Sequence, residues 1–183
     1  MTNLKKIVFL TGTRADFGKL KSLIDISDYQ SSFDVHVFVT GMHMQRKYGH
    51  TVDEIEKAGY RNIYRFINHT SERSMDQNLA KTIQGLSDYI NEAKPDLIVV
   101  HGDRVEALAG AIVGSLNNIL VSHIEGGEIS GTIDELIRHS VSKLAHLHFT
   151  TNQQASNRVL GMGEESWRVH TVGFPAIDLI SDN

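Results

Sequence analysis

The chain has 183 residues, 40% of them hydrophobic and 22% charged, with a formal net charge of -4; this is the composition of one soluble globular domain with a single sizeable core. Acidic and basic residues are mixed along the sequence, so no basic stripe faces a nucleic-acid backbone and nucleic acid is not expected as a partner. Cysteine is absent, which removes disulfides, thiolate metal sites and a cysteine nucleophile and fits a cytoplasmic location. No apolar stretch approaches the ~20 residues of a membrane span and the amino terminus shows no export signal, so no membrane partner is expected either.

Short β-branched runs alternate with longer segments of helical periodicity. Strands are expected at 6–10, 35–40, 62–66, 97–101, 119–123, 147–150 and 169–172. Helices are expected at 17–27, where Leu20, Leu23 and Ile24 share a face, and at 79–91, where Leu79, Ile83, Leu86 and Ile90 do. Further helices are expected at 52–58, 105–116, 133–145 and 153–160, with Pro95 punctuating the entry to the fourth strand. Such alternation is the signature of βαβ units, so the fold class is α/β, a doubly wound, mostly parallel, Rossmann-like sheet. The run Leu97-Ile98-Val99-Val100 is apolar on both faces and belongs mid-sheet. No repeat or linker divides residues 1–183, which read as one domain. The glycosylation sequon Asn68-His69-Thr70 carries no weight in a chain expected in the cytoplasm.

Ligands of open parallel sheets bind beyond the carboxyl ends of the strands, and three segments there are rich in polar chemistry. In the first, residues 11–19, Gly12 permits close backbone approach and Arg14 adds a fixed positive charge; an anion site and a plain tight turn are both open. It matches neither a dinucleotide fingerprint nor a phosphate-binding P-loop. In the second, His101-Gly102-Asp103-Arg104-Val105-Glu106, Asp103 is suited first to cap the following helix and second to act as an acid or base.

The third, residues 123–139, is the densest. Thr132 and Glu135 have capping-box spacing, while Asp134 and Arg138 stand at i,i+4 and are expected to pair. Gly126, Gly127 and Gly131 let this loop fold back; a cluster of Asp103, Glu125 and Asp134 with their protonation set apart and a plain solvated acidic loop are both open. His101, His123 and Asp103 are donors a metal accepts, but their spacing is not diagnostic and no metal is expected. The strand histidines are expected to be hydrogen-bonded structural residues.

Taken together, Gly12-Thr13-Arg14-Ala15-Asp16, His101-Gly102-Asp103-Arg104, His123-Ile124-Glu125-Gly126-Gly127 and Asp134-Glu135-Leu136-Ile137-Arg138-His139 resemble the UDP-N-acetylglucosamine 2-epimerases in order and spacing. The Arg-Ala-Asp and Glu-Gly-Gly forms resemble the hydrolysing branch of sialic-acid and related nonulosonate pathways. The resemblance implies the first half of a glycosyltransferase-B-like, two-domain fold, with the carboxy-terminal, UDP-binding domain absent and this half inactive alone. It implies elimination of UDP from UDP-N-acetylglucosamine to 2-acetamidoglucal, then hydration to N-acetylmannosamine. By motif, Asp103, Glu125 and Asp134 carry over as acid, base and water-handling group, in an order left open. Arg14, Lys19, His101 and Arg138 carry over as substrate contacts. A homodimer is implied, and no cofactor. The alternatives are the non-hydrolysing branch, a hydrolysing enzyme for a diacetamido-bacillosamine nucleotide, and a non-catalytic sugar- or anion-binding module.

Overall fold

The computed structural model describes residues 4–68 and 74–177. The elements run β1 (Lys5–Thr11), α1 (Arg14–Tyr29), β2 (Phe33–Val39), α2 (Val52–Lys57), β3 (Asn62–Arg65), α3 (Met75–Ala93), β4 (Leu97–His101), α4 (Val105–Leu116), β5 (Leu120–Ile124), α5 (Ile133–Leu144), β6 (Leu147–Thr150), α6 (Gln153–Gly161) and β7 (Val169–Thr171). The strands form one parallel sheet in the order β3-β2-β1-β4-β5-β6-β7, with β4 at its centre as its two-sided apolar run requires.

Side chains alternate along each strand, and the two faces are filled by different helices. Val8, Leu10, Phe38, Ile98, Val100 and Val121 point to one face, beneath Leu86 and Ile90 of α3, the small residues of α4, and Ile137 and Val141 of α5. Ile7, Phe9, Val35, Val37, Val39 and Val99 point to the other, beneath Phe17, Leu20 and Ile24 of α1 and Val52 and Ile55 of α2. On this second face an apolar cavity of about 320 Å³ runs over β4 to β6, lined by Val99, Ile124 and Phe149 of the sheet, Leu23 of α1, and Val172 and Pro175.

Helix α4 sits close to the sheet because its inner positions are small. A Cβ on Gly110 would lie 2.6 Å from Val100 Cγ1 and 2.8 Å from Leu10 Cδ2, and one on Gly114 would lie 2.4 Å from Val121 Cγ2. Helix α1 starts three residues before its expected position, because Thr13 caps it by accepting from the Asp16 N–H at 3.2 Å. The parallel strands therefore deliver Thr11, His101 and Ile124 to one edge, with the amino terminus of α1 beside them.

Candidate active site

Alternation along β4 decides what its last residue meets. Ile98 and Val100 face α3 to α5, so Val99 and His101 face α1. His101 Nδ1 lies 3.2 Å from Asp16 Oδ1 on the first turn of α1, and His101 Nε2 lies 3.1 Å from Glu125 Oε2 just beyond β5. Lys19, one turn after Asp16, reaches the same Glu125 oxygen at 2.6 Å. The side chains of Asp16, His101 and Glu125 are only 13%, 6% and 10% exposed. A row of Asp16, His101, Glu125 and Lys19, the first three buried and Lys19 half-buried, thus lies across the carboxyl ends of the central strands.

Electrostatics fix the protonation of this row. Burial alone pushes the Glu125 carboxyl up, but His101 and Lys19 outweigh it and hold the group at about 2. Burial likewise opposes charge on His101, yet the flanking carboxylates of Asp16 and Glu125 raise its pKa above the ordinary value. Burial raises Asp16, and His101, Thr13 and Arg104 bring it below the usual carboxylate range. Glu125 also has a backbone φ of +62°, unusual for a residue with a side chain. Its Oε1 is buried and has no hydrogen-bond partner among the described residues.

Asp103 does not cap α4. Arg104 occupies the cap position without a side-chain bond, and Asp103 Oδ2 instead accepts from Arg138 Nη2 across from α5. Arg138 is accordingly not paired with Asp134; its second nitrogen donates to the Glu128 carbonyl at 2.9 Å and ties down the glycine-rich loop. The cross-element pair wins over the i,i+4 pair because Arg138 is half-buried beside Asp103, whereas Asp134 is exposed and a solvated pair is worth only tenths of a kcal/mol. Asp134 meets only Thr132, which accepts from its N–H at 3.3 Å and caps α5. The capping box is altered as well: Glu135 Oε2 accepts from the Ser130 and Gly131 N–H groups, at 2.8 and 2.7 Å, rather than from Thr132. Arg14 is exposed and pairs with Glu54 at 3.2 Å, so it stands at the rim of the site.

The structure thus brings Asp16, Lys19, His101 and Glu125 together and sets the Asp103–Arg138 pair nearby in sequence, while among the described residues no hydrogen bond or ion pair joins Asp134 to either group. Three features were not singled out from the sequence: Asp16, which appeared there only within the first motif, Glu106 and Asn68. Glu106, 4% exposed, accepts from Asn68 Nδ2 at 3.2 Å, and a Cβ on Gly12 or Gly41 would come within about 3 Å of its side chain. Asn68, fully buried, also accepts from the Gly41 N–H and donates to Thr82, so it ties the segment after β3 to the loop after β2 and to α3 and α4. His69 and Thr70 lie outside the described residues. The strand histidine His123 is a structural residue as expected, bonded to the Gly102 carbonyl at 2.8 Å and to Ser142 Oγ at 3.1 Å. No cluster of three or more metal-ligating side chains occurs among the described residues.

The family model described as UDP-N-acetylglucosamine 2-epimerase matches residues 27–183. The chain belongs to this family. It is 46% identical over 180 residues to a UDP-N-acetylglucosamine 2-epimerase of Neisseria meningitidis, a match covering 98% of this chain and 48% of the relative. It is 38% identical to a UDP-N,N'-diacetylbacillosamine 2-epimerase (hydrolyzing) of Legionella pneumophila, again over 97% of this chain and 48% of the relative. The chain thus spans about half the length of the relatives it matches. Among solved structures, a Neisseria meningitidis epimerase bound to UDP-GlcNAc superimposes with a TM-score of 0.86 at 23% identity, covering 96% of this chain and 48% of that one. A lipopolysaccharide outer core galactosyltransferase superimposes with a TM-score of 0.63 at 13% identity, covering 92% and 45%. These two likenesses concern the fold, which is the α/β Rossmann-like arrangement of the epimerases.

Proposed function

We propose that residues 1–183 are the amino-terminal, Rossmann-like half of a hydrolysing UDP-N-acetylglucosamine 2-epimerase, a cytoplasmic homodimer whose uridine-diphosphate-binding half lies outside this chain. The observation that carries this reading is the row of Asp16, His101, Glu125 and half-buried Lys19 beside the Asp103–Arg138 pair, at the sheet edge where a nucleotide sugar would bind. The reaction removes the C2 proton and breaks the C1–oxygen bond, giving UDP and 2-acetamidoglucal. Water then adds its hydroxyl at C1 and a proton at C2 from the opposite face, giving N-acetylmannosamine. Glu125, ionised and with one oxygen unpartnered, is placed to accept or return a proton; Asp103 and Asp134 serve as the second acid–base group and the water-handling group. Arg14 and Lys19 supply positive charge for the departing diphosphate, and no cofactor enters.

The Legionella relative favours a second substrate, a nucleotide-linked diacetylbacillosamine. The test is to incubate the 183-residue chain, alone and mixed with its separately expressed second half, with each nucleotide sugar, and to assay free UDP and free sugar. Release of UDP and N-acetylmannosamine only by the mixture is the expected result. An intact epimerised nucleotide assigns the non-hydrolysing branch, release only from the bacillosamine nucleotide assigns that substrate, and binding without turnover by the mixture leaves a sugar-binding module.

A further inference from the structure

His101 is held between two groups that only accept hydrogen bonds. Asp16 Oδ1 lies 3.2 Å from Nδ1 in a hydrogen bond, and Glu125 Oε2 lies 3.1 Å from Nε2 as an ion-pair contact, off the line of a hydrogen bond. A neutral imidazole carries one proton and would turn a lone pair towards one of the two carboxylates. In the low-dielectric setting of side chains 6 to 13% exposed, that repulsion is not screened away. Both ring nitrogens therefore carry protons, and the ring is an imidazolium.

The arrangement assigns a task to Asp16. Its carboxylate belongs to the first turn of α1, where Thr13 accepts from its backbone N–H and the helix terminus favours negative charge. Its side chain meets both the Thr13 hydroxyl of the cap and His101. Glu125 Oε2 is thereby bracketed by Lys19 at 2.6 Å and His101 at 3.1 Å, which leaves Oε1 as the oxygen without a partner. We propose that Asp16 is a positioning residue: by holding Nδ1 it keeps His101 doubly protonated and turned so that Nε2 clamps one oxygen of Glu125 and leaves the other for the substrate proton.

The proton-transfer part of this proposal rests on the functional reading above; the protonation of His101 does not. The groups that bear on the imidazole are Asp16 from α1, Glu125 beyond β5 and His123 on β5, while Lys19 acts on Glu125, and Arg104 and His43 act on Asp16.

Nitrogen NMR of the histidine-labelled 183-residue chain is the direct test. The expected result at pH 7 is that both His101 nitrogens show imidazolium shifts, and that Asp16→Asn, which keeps size and hydrogen-bonding capacity but not charge, lowers the midpoint by about 1 unit or more. A neutral His101 in the wild-type chain overturns the proposal without any variant, as does an unchanged midpoint in folded Asp16→Asn. In the complete enzyme, Asp16→Asn is expected to lower kcat about 10- to 100-fold with little change in KM. Because the imidazolium is needed, it also shifts the alkaline limb of the pH profile to lower pH. A pH profile that does not move overturns the positioning role. Absence of turnover by the wild-type complete enzyme, with His101 doubly protonated, sinks the functional reading and supports the arrangement of the row.

Discussion

Arg138 reaches from α5 to the Asp103 carboxylate, and the two aspartates assigned to proton work therefore differ in what they hold up. Asp103→Asn removes the counter-charge of the Arg138 guanidinium, whose side chain is 12% exposed, so it is expected to cost about 1–3 kcal/mol of stability as well as turnover. Asp134→Asn acts on an exposed side chain and is expected to change stability by no more than about 0.5 kcal/mol. In the complete enzyme both are expected to lower turnover of UDP-N-acetylglucosamine about 100-fold or more. Thermal melts beside steady-state assays check this; wild-type-like turnover in both variants removes the carboxylate assignment. Part of this was legible in the sequence. Asp103, Glu125, His101, Lys19 and Arg138 stand out as polar residues after apolar strands, but the partner of each is decided in three dimensions. Asp103 was suited to cap α4 by position alone, and only the half-buried Arg138 opposite explains why it does not.

At the scale of elements, the seven strands and six helices were legible because period-2 and period-3.6 apolar patterns are imposed by burial, and burial is what the sheet and its two helix layers supply. Helix ends were not, since they turn on single caps: Thr13 extends α1 back to Arg14, and α3 begins at Met75, four residues before its first expected position. The pairing of His101 with α1 was available from alternation along β4, once Ile98 and Val100 were given to the opposite face. The close seating of α4 yields a prediction at this scale. Valine at position 110 forms helix better than glycine by only tenths of a kcal/mol, while its side chain enters space already filled by Val100 and Leu10. Gly110→Val is therefore expected to destabilise the chain by about 2 kcal/mol, or roughly 4–8 °C in Tm. An unchanged melting temperature in a calorimetric scan shows that α4 has slack against β1 and β4.

Across the whole molecule, the buried titratable groups set how the fold responds to acid. His43 is fully buried between Thr11 and Thr51, and burial lowers its pKa to about 4; His123 is fully buried against Gly102 and Ser142, and burial lowers its pKa to about 3. Both titrate near 6.5 when unfolded, so below that pH the unfolded chain binds more protons than the folded one and stability falls as pH falls. Glu125 adds to this, because its folded value of about 2 lies below the unfolded 4.5; the stability it contributes is present above pH 4.5 and is lost on the way down to about 2. His101 works in the other direction. Its raised pKa contributes stability below its unfolded value that is lost as pH rises through the folded one. Each fully buried histidine is worth on the order of 3 kcal/mol at pH 4 or below, against a typical total of about 5–15 kcal/mol, so the acid terms win. The chain is expected to unfold cooperatively between about pH 5 and 4, followed by far-UV circular dichroism, since Trp167 is 63% exposed and reports poorly on the core. His43→Gln, which keeps hydrogen-bonding capacity towards Thr11 and Thr51 without a titrating ring, is expected to move that midpoint to lower pH. A midpoint that stays in place assigns the acid transition to the other buried groups, His123, His148 and Glu125, instead.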